Sequence, residues 1–401
     1  MSKIPTIAMI PSAYKANKVY SVLPTNGDAD LDFVRTSTRT RVNQIGLIED
    51  LATGVPALDY SDGGCPTLLL EPQSTNLITY SEDFDNSAWN KGNTTISANS
   101  LTSPKGDLTA DKLVENATTN THFILETGGT VSSIETFSVF AKANGRNWIL
   151  LQSGGNSISS FDLSNGVIGS NQNCTPKIED YGSGWYRCSI SFTRTVNTNN
   201  IIGLLQSDSS SLTSYLGDGT SGVYIWGAQV EEQSYATSYI PTSGATATRV
   251  AETLSKTGLS NYIGQAEGAI FMELKRLDEQ GGNVFAFNLT NSTNSERIFF
   301  QFDTTSLDFR VGLITPSDTN VILAPSSLNA SYNKVAIAYE LNRLVLFING
   351  VKITEDNLVT TPTNIDTIKS AGFGVTFYGK VKDLRVYNQA LTDTELQNLT
   401  S

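Results

Sequence analysis

At 401 residues, with a formal net charge of −12 and only 16% charged side chains, the chain is too long for one ordinary sandwich domain. It carries no Lys/Arg cluster of the kind that grips a phosphate backbone, so nucleic acid is excluded as a partner. Its polar content is Ser, Thr, Asn and Gly, residues of turns and strand edges, interleaved with short Val, Ile, Phe and Tyr runs. That pattern excludes a mainly helical protein and predicts many short strands.

The chain opens with Lys3 and then Ile4-Pro5-Thr6-Ile7-Ala8-Met9-Ile10, too short and too broken by Pro5 for a signal peptide. No apolar run reaches the roughly 20 residues that span a bilayer, so membrane insertion is not expected. The expectation is synthesis in a cytoplasm without classical export. Residues 1–60 read as an extended segment, punctuated by Pro5, Pro11, Pro24 and Asn26-Gly27. Arg35, Arg39 and Arg41 form a basic stretch, with Arg39 and Arg41 on one face of a strand at period 2. Two readings stand for them: a solvated strand face, or a docking strand for an acidic neighbouring subunit. Too few core candidates are present for this segment to fold alone.

Residues 61–250 form a second region, which Cys65-Pro66-Thr67-Leu68-Leu69-Leu70-Glu71-Pro72 opens with a buried-type strand. Strands are predicted around Ala110–Val114, Phe137–Lys142, Trp148–Gln152, Trp185–Phe192 and Val223–Val230. Turn chemistry at Gly128-Gly129, Asn144-Gly145, Asn165-Gly166 and Gly182-Ser183-Gly184 separates them. Strands at this spacing argue for a sandwich. Pro241-Thr242-Ser243-Gly244-Ala245 reads as a linker.

Residues 251–401 alternate most regularly. Ile270, Met272 and Leu274 share a face, as do Ile298, Phe300 and Phe302. So do Leu307, Phe309, Val311 and Leu313, and likewise Val335, Ile337, Tyr339 and Leu341. Leu344, Leu346 and Ile348 run into Asn349-Gly350, the strongest local hairpin signal. Thr392-Asp393-Thr394-Glu395 is a capping box ahead of Leu396 and Leu399, predicting one short terminal helix.

Residues for catalysis are scarce. His122 is the single histidine, so any His-based zinc site or Ser-His-Asp triad would have to use it, and it reads as structural. Glu71, Asp83, Glu231 and Glu232 are carboxylates, but none has a local pattern that would hold it protonated. No cofactor is expected; a structural calcium at Asp83 with Asp85, or Asp208 with Asp218, is the one metal option. Cys65, Cys174 and Cys188 are not a disulfide framework and read as free thiols, with a Cys174–Cys188 bridge across a hairpin as the alternative. Binding is better supported than turnover. Sugars stack their C–H faces on aromatic rings and bond to Asn, Gln and Arg side chains. Trp185 and Trp226 read as framework. Trp89 with Asn90, and Trp148 with Arg146, are the candidate ligand residues.

CPTLLLEPQSTN at Cys65–Asn76, then YSEDFDNSAWNK and SPKGDLTADKLVE, resemble a module recurring in phage tail and head fibre proteins. GVYIWGAQVEEQSYATSYIP at Gly222–Pro241 resembles that module's closing strand. The module is similar to carbohydrate-binding modules of the galactose-binding jelly-roll type. LVLFINGV at Leu344–Val351 and GKVKDLRVYNQAL at Gly379–Leu391, followed by TDTEL, resemble a laminin-G or concanavalin-like jelly roll. IPSAYKANKVYSVLPTNGDADLDFVR looks like the start of phage virion proteins, where it would seat a fibre on the particle.

The resulting expectation is an all-β chain: two antiparallel jelly-roll sandwiches in tandem, an N-terminal anchoring segment and a short C-terminal helix. The resemblance implies a non-enzymatic virion fibre or appendage that adheres to host or environmental glycans. It would contact other virion proteins through Arg35, Arg39 and Arg41 and assemble as a homo-oligomer, a trimer before a dimer. The alternatives are a polysaccharide-degrading spike and a decoration protein without ligand.

Overall fold

Ile270, Met272 and Leu274 leave the strand Glu267–Arg276 on one side, and all three are buried in one core. The same alternation places Ile298 with Phe300, Phe309 with Val311 and Leu313, Val335 with Ile337 and Tyr339, and Leu344 with Leu346 and Ile348 in that core. Leu341 departs from the pattern: it lies beyond the end of Asn333–Glu340, in the turn, and is exposed. The computed structural model describes residues 3–196, 199–277, 286–302, 309–324, 328, 331–357, 359–372, 375–376 and 378–401. Leu307 lies outside these residues.

The protein is all-β, and its packing divides the chain into two units. A host unit comprises residues 1–38, 51–72 and 250–401; an inserted unit comprises 39–50 and 73–249. The expected division at 1–60, 61–250 and 251–401 differs from this at its first boundary, residues 1–38 and 51–72 belonging with 250–401. Ile7–Met9 pairs with Gly379–Tyr387, Ile7 opposite Val386, and Leu31–Val34 pairs with Thr253–Lys256. The first 38 residues thus supply strands to the host sandwich instead of forming a separate segment. Thr67–Leu70, buried throughout, also belongs to the host, pairing with Gly379, Lys380 and Val381. The expected linker at 241–245 is part of the inserted unit, with Gly244 N donating to Thr79 O and Ala247–Arg249 pairing with Ser74–Asn76.

The host unit is a two-sheet sandwich. One sheet has eight strands and centres on Asn333–Glu340, Glu267–Arg276 and Gly379–Tyr387. The other has nine and runs from Tyr14–Lys15 through Thr253–Lys256, Thr367–Lys369, Ala286–Thr290, Arg297–Phe302 and Phe309–Thr315 to Asp318–Ala324. Asn349 and Gly350 both take positive φ, 48° and 79°, between the paired residues Ile348 and Val351. A two-residue turn needs that conformation to match the strand twist. The terminal helix Asp393–Thr400 carries the full capping box at Thr392 and Glu395. It seats Leu396 in a cluster with Ala269, Phe271, Ala336 and Phe347 on the outer side of the eight-stranded sheet.

The inserted unit holds two six-stranded sheets around Phe84, Trp89, Phe137, Val139, Ile149, Phe161, Ile202 and Val230. The first sheet runs Asn90–Gly92, His122–Thr127, Asn199–Leu205, Trp148–Ser153, Ser157–Asp162, Val167–Gln172. The second runs Thr94–Leu101, Ala110–Glu115, Gly222–Glu231, Ile134–Asn144, Tyr186–Thr193, Thr175–Asp180. Phe140, Trp185, Trp226 and Tyr239 form a further buried cluster with Ile48 and Ala110. The two tryptophans read as framework are framework.

Candidate functional site

The three arginines expected to dock a neighbour are engaged inside the fold. Arg35 donates to the carbonyls of Ser37, Val55 and Ala52 and meets Glu252 at 2.8 Å, with neither side chain exposed. Arg39, 3% exposed, donates to Thr40 O and Ser238 Oγ. Arg41 reaches Glu49 Oε1 at 2.6 Å. Their local sequence looks solvated, but Arg35 and Arg39 find acceptors far along the chain, at Glu252 and Ser238, while Arg41 finds Glu49 eight residues on. Each of the three side chains is thus held by acceptors of the fold itself.

His122 is buried, with Nδ1 2.7 Å from Asn93 O and Nε2 3.3 Å from Tyr215 O, a structural arrangement. Trp89 is 1% exposed, its indole N–H donates to Tyr80 O at 2.8 Å, and its ring packs on Phe84. It offers no face to a ligand and is a core residue. Arg146 is also committed: Nε and Nη2 hold Glu115 at 2.7 and 2.6 Å. Glu115 accepts from Tyr215 Oη and Asp218 N as well, both at 2.8 Å. Burial alone would raise the Glu115 carboxyl. The Arg146 fork and the other donors outweigh burial and hold it below its usual value. This clamp fastens the chain around 215–218 to one end of the sandwich.

The two remaining candidates, Asn90 and Trp148, share one face. Ile124, Ile149, Leu151, Ile202 and Leu204 fill the core side of the first sheet, so the intervening residues face outward. Register places Gly92, Phe123, Gly203, Leu150 and Ser160 across the strands in one row, and Asn90, Leu125, Ile201, Gln152 and Ile158 in another. Trp148 stands on the same face opposite Leu205. Phe123, Leu125, Ile201, Gln152 and Trp148 are half-buried, and Asn90 is exposed. Gly92 is required here because a Cβ would lie 2.3 Å from the Phe123 ring. The loop after Leu205 folds back over part of this face. Leu212 rests on Gly203, where a Cβ would lie 2.3 Å away. Asp208 accepts from Ser160 Oγ at 2.5 Å and from Ser170 N and Oγ at 2.7 and 2.8 Å, bonds that lower its carboxyl. The result is an apolar, partly aromatic platform with amides at Asn90 and Gln152 and a loop along one side. Phe123, Leu125, Ile201 and Gln152 were missed by sequence reading. The available signal was that His122–Thr127 and Trp148–Ser153 are apolar on both faces.

The carboxylates and thiols do not assemble into a reactive group. Glu231 is fully buried and accepts from Gln229, Ser74 and Thr237. Asp83 bonds to Asp85, which raises its carboxyl. Beside them Lys91 Nζ donates to Asp85 O and Asn86 O, so an ammonium already serves that loop's oxygens. Asp208 and Asp218 serve separate turns, the latter capping Thr220 and Ser221. No group of three potential metal ligands occurs among the described residues. Cys65, Cys174 and Cys188 are free, so the bridge between Cys174 and Cys188 is not made.

Residues 265–397 match a family model described as the concanavalin A-like lectin/glucanases superfamily, of the laminin G type. The matched span lies within the host unit, whose fold is therefore lectin-like. Among solved structures, the chain is similar to the CBM40 module of a Ruminococcus gnavus sialidase bound to α2,3-sialyllactose. Identity is 20%, the likeness covers 34% of this chain and 84% of that one, and the TM-score is 0.29. A heptameric pentraxin from Limulus polyphemus is 15% identical over 34% of this chain and 70% of its own, TM-score 0.29. The NanB sialidase of Streptococcus pneumoniae is 16% identical over 37% of this chain and 26% of its own, TM-score 0.31. No curated protein matches.

Proposed function

We propose that this chain is a non-enzymatic adhesion protein of a phage particle that binds host or environmental glycans through its sandwiches. One observation carries the binding reading: Phe123 and Trp148 stand half-exposed on the same sheet face as the amides of Asn90 and Gln152. Aromatic rings accept the C–H face of a pyranose, while amides bond to its hydroxyls. The lectin-like fold of residues 265–397 is consistent with a second carbohydrate surface. The particle setting rests on the fibre-like motifs of the sequence. Single sites of this shallow kind bind weakly, and a homotrimer displayed in many copies converts weak sites into avidity.

A glycan array probed with the chain in multivalent display tests this. Specific spots that vanish in a Phe123→Ala/Trp148→Ala double variant of unchanged stability support it. A blank array, or measurable polysaccharide cleavage abolished by one carboxylate substitution, refutes it. Labelling this subunit on particles tests the setting.

A further inference from the structure

Three cations gather on one sheet face of a chain whose formal net charge is −12. In the nine-stranded sheet of the host unit, Phe287, Leu289, Ile298, Phe300, Val311 and Leu313 point into the core. The residues between them face outward. Register aligns Lys369, Asn288, Phe299 and Gly312 in one row, with Arg297 in the row on one side and the pair Gln301–Arg310 in the row on the other. Among the described residues of these rows the one carboxylate is Asp32, two strands beyond Lys369 through Ser255 and paired with Lys18.

The Phe299 ring is laid over Gly312, whose absent Cβ would lie 2.1 Å from it. The Arg297 guanidinium stands 5.3 Å from the ring centroid. Asn288 is 3% exposed, and its side-chain nitrogen has no hydrogen-bond partner. A buried amide N–H without an acceptor is rare and costly, and it marks a place where an acceptor is missing. Burial lowers both the Arg297 guanidinium and the Lys369 ammonium below their usual values. Lys369 bonds to Asn294 Oδ1, and both arginines also make contacts within the fold; the donor lacking a partner is that of Asn288.

We propose that this face binds the carboxylate of an acidic saccharide, an inference that rests on the glycan-binding reading above. The planar carboxylate accepts from Asn288 Nδ2 and from the Arg297 guanidinium, the pairing in which charge-assisted bonds are strongest. Gln301 and Arg310, half-buried alongside, bond to ring hydroxyls.

The test is calorimetric titration of the full chain with a panel of oligouronates of differing ring configuration. The same oligosaccharides reduced to neutral alcohols and a sulfated neutral oligosaccharide serve as comparisons. Binding of an oligouronate, weakening with salt, absent from the reduced form and retained in Trp148→Ala, is the expected result. Losing one charge-assisted bond weakens affinity by about ten- to a hundredfold. Arg297→Gln should show that loss. Asn288→Asp, which keeps the shape and replaces the donor with a charged acceptor, should abolish acid binding while the variant stays folded. Equal binding of acidic and reduced forms, equal binding of the sulfated form, or an unaffected Asn288→Asp variant overturns the inference and leaves glycan binding standing. Failure of every oligosaccharide in the panel, with a blank glycan array, overturns both.

Discussion

Replacing Glu115 with Gln should loosen one end of the inserted unit without unfolding it. The carboxylate is fully buried and accepts four bonds: two from Arg146, one from Tyr215 Oη and one from Asp218 N. Gln offers one acceptor oxygen and turns two N–H groups toward donors, so about two charge-assisted bonds are lost, roughly 3 kcal/mol. The Arg146 side chain is 18% exposed, and water recovers part of that loss, leaving about 2 kcal/mol. Local opening near 215–218 should then rise about thirtyfold. Hydrogen exchange reads it directly at the amides of Gly217, bonded to Thr118 O, and Asp218. The native clamp should also respond to acid. Its carboxyl is held below the usual value, so its contribution is complete above the unfolded pKa of about 4.3 and fades as pH falls through the lower folded value. The Gln variant should lack that response. In an Arg146→Gln/Glu115→Gln pair the losses should be far from additive. An exchange change under about 0.5 kcal/mol, or one spread evenly over the unit, would refute the clamp.

Burial pushes the Asp111 carboxyl up to about 6, against the backbone donors Phe84 N and Asn99 N. A raised acid binds its proton more tightly when folded, so the inserted unit should lose about 1–2 kcal/mol between pH 4 and 6, and Asp111→Asn should flatten that slope in urea titrations. Lys380 bridges Asp59 and Asp62 at 3.0 and 2.7 Å, and the Asp62 carboxyl sits at about 2. Lys380→Met should destabilise the host unit by about 3 kcal/mol at neutral pH, a difference that shrinks as pH falls from about 4 toward 2 and Asp62 takes up its proton. Leu396→Ala should cost about 2–4 kcal/mol and free the terminal helix to proteolysis, since Leu396 is its buried anchor.

What the sequence made legible was local. Asn349-Gly350, the capping box at Thr392, and the period-2 runs of the last 150 residues each state their structure within a few residues. The N-terminal segment could not be read this way, because Ile7 finds its partner at Val386 and Leu31–Val34 finds its own at Thr253–Lys256. Such pairings carry no local signal. Arg35 failed for the same reason. Its spacing fits a solvated strand, but Glu252, 217 residues away, closes over it. Trp89 sits in a polar stretch, DNSAWNK, yet the turn at Asn86, whose Oδ1 accepts from Ala88 N, feeds the indole into the core. Polar neighbours describe the turn and not the destination of the ring.

A strand that is apolar on both faces must bury the second one against something. In the inserted unit the two sheets meet that demand differently. The second sheet spends its outward Phe140 and Trp226 in a closed cluster with Trp185 and Tyr239. The first sheet covers Leu150 and Leu205 with the loop carrying Leu212, yet leaves Phe123, Leu125, Ile201 and Trp148 half-exposed. Exposed apolar surface of this kind is a solubility liability unless a ligand uses it. Gly92 and Gly203, each holding open space for a side chain that lies over it, show that the outward face is packed as closely as a core. A Gly203→Val variant separates packing from recognition: it should displace Leu212 and uncover Leu150, raising dye binding to exposed apolar surface while the amides of Asn90 and Gln152 stay in place. If glycan affinity then survives, recognition belongs to Phe123 and the amides; if it falls with the loop, Leu212 and Trp148 shape the site.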